Sequence, residues 1–140
     1  MLCVDVNVLV SAFRAGSPHH GPAYGWLDAA QRGPEPVIVL AEVAGAATRV
    51  LTNPQIWPSP SDPAEVLQAI EDLLASPVVS LMEAPPRRWP IFTELVTGQQ
   101  LRGNDIPDAL LAASVLALGA ALVTFDRGFT RFAALELALL

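Results

Sequence analysis

The stretch Pro107-Asp-Ala-Leu-Leu-Ala-Ala-Ser-Val-Leu-Ala-Leu-Gly119-Ala-Ala-Leu-Val-Thr-Phe-Asp126 decides the fold. Its apolar residues recur with helical period as far as Leu118. Pro107 suits a first helical turn, where its missing N–H costs nothing, and Gly119 interrupts the pattern before the short strand-like run Ala121 to Thr124. The uncharged part, Ala109 to Phe125, is shorter than the roughly 20 apolar residues of a membrane span and is divided by the glycine. A helix running into a buried strand, with one acid at the helix start and another just beyond the strand, is part of an α/β layer structure.

The N-terminus repeats the theme. Leu2 to Val6 is a short apolar run that reaches Asp5, and Asn7 then serves as an N-cap for a helix over Val8 to Phe13. Ser76 to Leu81 is another apolar run without alternation, and Leu135 to Leu139 reads as a last strand. Such runs mark strands buried on both faces, as in a parallel sheet covered by helices. Helices are expected over about Pro22 to Gln31, Val37 to Leu51, Pro63 to Ala75, Pro86 to Thr97 and Pro107 to Leu118. The result is an α/β sandwich with right-handed crossovers, whose ligand site lies beyond the carboxyl ends of the strands. The proline-rich segment Asn53 to Asp62 is a connection, because too little chain flanks it for two folding units, so residues 1–140 are expected to form one domain.

A hydrophobic content of 52% supplies a well-filled core. All eight cations are arginines, which excludes a P-loop lysine, a Schiff base and the lysine of receiver domains or haloacid-dehalogenase-like phosphatases. Cys3 lies in an apolar run with no basic neighbour and is expected to be inert. His19 and His20, flanked by Gly16, Pro18, Gly21 and Pro22, are expected in an exposed loop. The segment Met1-Leu-Cys-Val-Asp5 does not resemble a secretory signal, so the expected location is the cytoplasm, with no membrane partner.

Asp5, Glu42, Asp108 and Asp126 each stand where an apolar segment starts or stops. Carboxylates gathered in a low-dielectric cleft repel one another, and a hard cation such as Mg²⁺ relieves that repulsion. The net charge of −6 argues against a basic surface that grips nucleic acid unaided. Two divalent ions would bring the balance to about −2, so the global sign is a poor guide to the local field.

Together, Asp5-Val-Asn7, Leu40-Ala-Glu42, Pro107-Asp108-Ala-Leu-Leu-Ala-Ala113 and Leu122-Val-Thr124-Phe-Asp126-Arg-Gly-Phe129 resemble the PIN-domain ribonucleases. The stretches Arg49-Val-Leu-Thr-Asn-Pro54 and Phe129-Thr-Arg-Phe132 resemble the VapC toxins of bacterial toxin–antitoxin pairs in particular, and the resemblance covers essentially the whole chain. It implies a PIN-like three-layer sandwich with a central, mostly parallel sheet flanked by helices. It further implies that Asp5, Asp108 and Asp126 hold Mg²⁺ or Mn²⁺, with Glu42 ligating directly or through water. The implied chemistry is endonucleolytic cleavage of RNA to 3′-hydroxyl and 5′-phosphate ends. Asn7 and Thr124 match supporting positions. The chain departs from many relatives in having Gly128 where they carry a second acid, and Asp105 is either a substitute ligand or a helix N-cap beside Asn104.

Arginines are the natural phosphate contacts. Arg49 lies two helical turns beyond Glu42 on the same face, and Arg102 and Arg127 adjoin site segments. Arg14, Arg32, Arg87, Arg88 and Arg131 read as solvated or partner-binding, and Trp26, Trp57 and Trp89 as core or interface packing. An antitoxin partner is implied, for which Phe13, Trp26 and Leu27 would line an apolar groove, together with a homodimer. The alternative is a non-catalytic PIN-like module that binds RNA or a protein.

Overall fold

The computed structural model describes every residue from Met1 to Leu140. Five strands, β1 (Leu2–Val4), β2 (Val37–Leu40), β3 (Val79–Met82), β4 (Ala121–Thr124) and β5 (Glu136–Leu139), form one sheet in the order β3-β2-β1-β4-β5. All four neighbouring pairs are parallel. Six helices connect and cover them: α1 (Val6–Phe13), α2 (His20–Ala30), α3 (Ala41–Leu51), α4 (Pro63–Leu74), α5 (Arg88–Gly98) and α6 (Asp105–Leu118), with a 3₁₀ turn over Arg127–Arg131. The α/β reading is correct, and every strand has the same direction.

Several elements depart from the sequence reading, the first of them over Val37 to Leu51. This stretch is not a single helix, because Val37-Ile-Val-Leu40 is strand β2, buried throughout, and only then does α3 begin. Both neighbours, β1 and β3, hydrogen-bond to it, and side chains rich in β-branching pack well on a sheet buried on both faces. Glu42 is therefore the second residue of a helix that starts directly after a strand, not a residue inside a long helix. Likewise α1 is capped by Asp5, whose Oδ1 accepts from the Val6 N–H at 2.6 Å, and Asn7 lies within the helix. His20 opens α2 and its Nδ1 meets the Ser11 carbonyl at 2.9 Å, while His19 is exposed but stacks on Phe125 with ring centroids 4.6 Å apart.

The connections from β1 lead outward to β2 and then β3, whereas β4 and β5 lie on its other side. Where connections diverge in this way, the carboxyl ends of adjacent strands leave a crevice. The core is made by the two faces of β1, β2 and β4 with Val8, Leu9, Val43, Ala109, Ala112 and Val115 from the helices and Phe129 and Phe132 from the last turn. Cys3 belongs to it, and burial, with the nearby Asp5 and Glu42 charges adding, pushes its thiol up to about 12, so it is an inert core residue. No helix is long and apolar enough to cross a membrane.

Gly119 ends α6 in the left-handed conformation, φ 66°, and its N–H returns to carbonyls of the last turn. A methyl group there would meet nothing within 4 Å. Gly119→Ala is therefore expected to cost about 1 kcal/mol through backbone conformation alone. An unchanged urea midpoint would refute that account.

Candidate active site

Four acids are delivered to the crevice by four different elements. Asp5 follows β1, Glu42 follows β2, Asp126 follows β4, and Asp108 occupies the first turn of α6, whose partial positive charge favours an anion. They line two adjoining clefts. One, of about 330 Å³, is bordered by Asp5, Glu42 and Asp108 with Val43, Ala46 and Leu110. The other, of about 350 Å³, is bordered by Asp5, Asp108 and Asp126 with Asn7, Ser11 and Phe129. Asp5 and Asp108 are common to both.

Asp5 is the most buried of the four, at 6% exposure, and is held on all sides. Its Oδ2 accepts from the Thr124 hydroxyl at 2.6 Å and from the Asn7 amide at 2.8 Å. The Thr124 oxygen in turn accepts from the Asn7 amide at 3.0 Å and from the Asp126 N–H at 2.9 Å. One hydroxyl thus uses its single hydrogen and both lone pairs. Asn7 closes the ring by accepting from the Phe125 N–H at 3.3 Å. These bonds tie the ends of β1 and β4 together and orient two acids at once.

The other three acids have separate partners. Asp126 caps the 3₁₀ turn by accepting from the Gly128 N–H at 2.7 Å. A Cβ at Gly128 would stand 2.9 Å from that same carboxylate oxygen, so a larger residue there requires Asp126 to turn away. Glu42 pairs with Arg88 of α5 at 2.6 Å, and Ser114 joins both. Arg131 forks between Asp105 and Asp108, each at 2.8 Å. Asp105 is thus the first helical residue and an ion-pair partner, and the cap position, Asn104, makes no side-chain cap bond.

Two of the acids feel this crowding. Burial raises the Asp5 carboxyl above the ordinary aspartate range, opposed by the Thr124 and Val6 hydrogen bonds and reinforced by the charges of Asp108 and Asp126. Burial also raises Asp108, with Asp126 and Asp105 adding to it and Arg131 opposing it. The oxygen-only donor set suits a hard divalent ion in chemistry. No three acidic, histidine or cysteine side chains stand close enough together to hold one ion, and Asp126, Glu42 and Asp108 each have a separate hydrogen-bond donor.

The arginines divide differently from the sequence reading. Arg88 and Arg131, read there as solvated or partner-binding, contact site acids, and the link from Arg88 to Glu42 spans 46 residues, so no local pattern could have revealed it. Arg14 instead lies over Trp57, and Arg32 pairs with Asp28. Arg49, Arg102 and Arg127 are exposed and make no ion pair or side-chain hydrogen bond. Of the proposed groove residues, Phe13 and Leu27 line one depression between α1, α2 and α4 together with Tyr24 and Leu73. Trp26 lines a separate one near Leu2 and Pro34.

Residues 2–135 match the PIN domain family. Sequence relatives sharpen this: VapC ribonuclease Mb2897 of Mycobacterium bovis is 39% identical over 132 residues, covering 94% of this chain and 90% of that protein. The chain belongs to the PIN domain family and, within it, to the VapC ribonucleases. Ribonuclease VapC31 of Mycobacterium tuberculosis is 33% identical over 97% of this chain and 96% of its own length. Solved structures share the fold at lower identity. VapBC2 from Rickettsia felis, bound to a promoter DNA fragment, gives a TM-score of 0.72 at 17% identity, covering 99% of this chain and 97% of that one. Mycobacterium tuberculosis VapC20, a sarcin–ricin loop cleaving toxin, gives 0.70 at 18%, covering 94% and 95%.

A carboxyl raised in the folded protein favours the fold only while protonated. Its ionisation costs stability as pH rises from the unfolded value through the folded one. Asp5→Asn is accordingly expected to melt higher than the parent at pH 7, with the difference shrinking in acid as Asp5 itself becomes neutral. A variant that melts lower at pH 7 and is matched at pH 3 would show that the hydrogen-bond ring outweighs the buried charge.

Proposed function

We propose that this VapC-family chain is a single-domain, Mg²⁺- or Mn²⁺-dependent endoribonuclease and the toxin of a VapBC-type toxin–antitoxin pair. The observation that carries the reading is the pair Asp5 and Asp108, common to two clefts that Glu42 and Asp126 complete from either side. Asp5, Asp108 and Asp126 are the candidate direct ligands, with Glu42 reaching the ion itself or through water. When bound, a divalent ion lowers the pKa of a water and stabilises charge on the departing 3′ oxygen. The ring through Asn7 and Thr124 presents Asp5 in one orientation and keeps its second oxygen engaged. Asp105, on the same turn as Asp108, shares Arg131 with it.

Substrate contacts follow from the free cations. Arg49, Arg102 and Arg127 have guanidinium groups with no internal partner, and each suits an RNA phosphate. Attack in line at phosphorus, with departure of the 3′ oxygen, leaves 3′-hydroxyl and 5′-phosphate ends. The antitoxin partner is supported by structural neighbours determined as toxin–antitoxin complexes, among them one from Klebsiella pneumoniae. The depression lined by Phe13, Leu27 and Leu73 suits an amphipathic segment of such a partner. A homodimer belongs to the same proposal, and the exposed side chains Leu67, Leu81 and Trp89 provide apolar surface for it.

Asp5→Asn and Asp108→Asn are each expected to lower RNA cleavage about 100-fold or more while leaving the circular dichroism spectrum unchanged. Chelation of divalent ions should abolish cleavage by the parent, and added Mg²⁺ should restore it. Variants that cut RNA at the parent rate would end the proposal. Arg49→Ala is expected to raise KM several-fold with little change in kcat, since a phosphate contact away from the reacting bond contributes uniform binding.

A further inference from the structure

Arg131 is ion-paired with Asp108, one of the candidate metal ligands. It closes the 3₁₀ turn that begins directly after Asp126, and its two terminal nitrogens are divided between Asp105 and Asp108. The side chain is anchored from behind: its guanidinium lies 5.0 Å from the centroid of the buried Phe132 ring, and its Nε is buried with no hydrogen-bond partner. A guanidinium in that position donates where Asp108 would otherwise offer an oxygen to a cation. It also places a positive charge beside any ion that approaches Asp108.

We propose that Arg131 is a positioning residue that serves as the site's internal counter-cation, holding Asp108 until a divalent ion displaces it, so that metal enters by exchange. Without Arg131, Asp108 would stand with Asp105 and Asp126 uncompensated at the end of the sheet. With it in place, Asp105 and Asp108 are each held by one guanidinium nitrogen. On exchange, the guanidinium retains Asp105 and its place over Phe132, so it moves by side-chain rotation without unfolding the turn. Arg88 holds Glu42 in a comparable pair, but that contact lies at one cleft only, whereas Asp108 borders both.

This inference rests on Asp108 being a metal ligand, and the experiment separates the two ideas. Mn²⁺ affinity is measured on the full chain by calorimetry or by electron paramagnetic resonance of the free ion, for the parent, Arg131→Met and Asp108→Asn. Arg131→Met is expected to bind Mn²⁺ about fivefold more tightly, the size of effect given by removing one partly exposed ion pair. In the parent, titration with Mg²⁺ should shift the Nε resonance of Arg131 in step with binding. Unchanged or weaker Mn²⁺ binding by Arg131→Met, or an Arg131 resonance that ignores bound Mg²⁺, overturns the exchange. Should Arg131→Met fail to fold by circular dichroism, Arg131→Gln replaces it under the same criterion. If instead Asp108→Asn binds Mn²⁺ as the parent does, the metal reading of Asp108 is what fails.

Discussion

The structure depends on placing a buried carboxylate, Asp5, at the carboxyl end of the central strand. Burial alone disfavours its charge, and Asp108 and Asp126 disfavour it further. The fold offsets this with three donors, the Thr124 hydroxyl at the end of β4 and the Asn7 amide and Val6 N–H from the segment that leaves β1. Those bonds do more than satisfy one side chain. They join adjacent parallel strands beyond their ladder, start α1, and orient the Asp126 backbone through the fully buried Thr124. Removing any one donor leaves a buried oxygen short of a partner, and the energetic asymmetry of unmet hydrogen bonds makes the ring act as a unit.

Compensation of the remaining acids is divided among separate elements. Arg88 reaches Glu42 from α5, and Arg131 reaches Asp108 and Asp105 from the 3₁₀ turn. A planar guanidinium can serve two carboxylates at once, which an ammonium does less well, and this chain uses arginine for every cation. The acidic total charge therefore coexists with a site in which Glu42, Asp105 and Asp108 are paired with arginines. Gly128 contributes through what it lacks: the space beside Asp126 lets that carboxylate turn onto its own loop. The size of the residue at position 128 is thus coupled to where Asp126 points.

Much of this was legible in order along the chain. The helical period up to Leu118, the glycine break and the strand that follows gave the α/β alternation, and the four acids stood at segment boundaries because strand ends and helix starts are where a parallel sheet opens to ligand. Val37 to Leu40 was misread because a short apolar run next to a helical pattern has no period of its own. Only pairing to β1 on one side and β3 on the other distinguishes it as a strand. The arginine partners were illegible for a related reason, since residues at such separations meet only after the sheet has assembled.

The amino-acid order by itself determined the layer type, the inert Cys3, and which carboxylates could gather, because periodicity, apolar runs and residue chemistry are local properties. Tertiary structure alone decided that β2 is a strand, that Asp5 rather than Asn7 caps α1, and that Arg88 and Arg131 stand against the acids while Arg49, Arg102 and Arg127 stay free. Those outcomes depend on distances between segments remote in sequence, and such distances are set by how strands pair and helices pack.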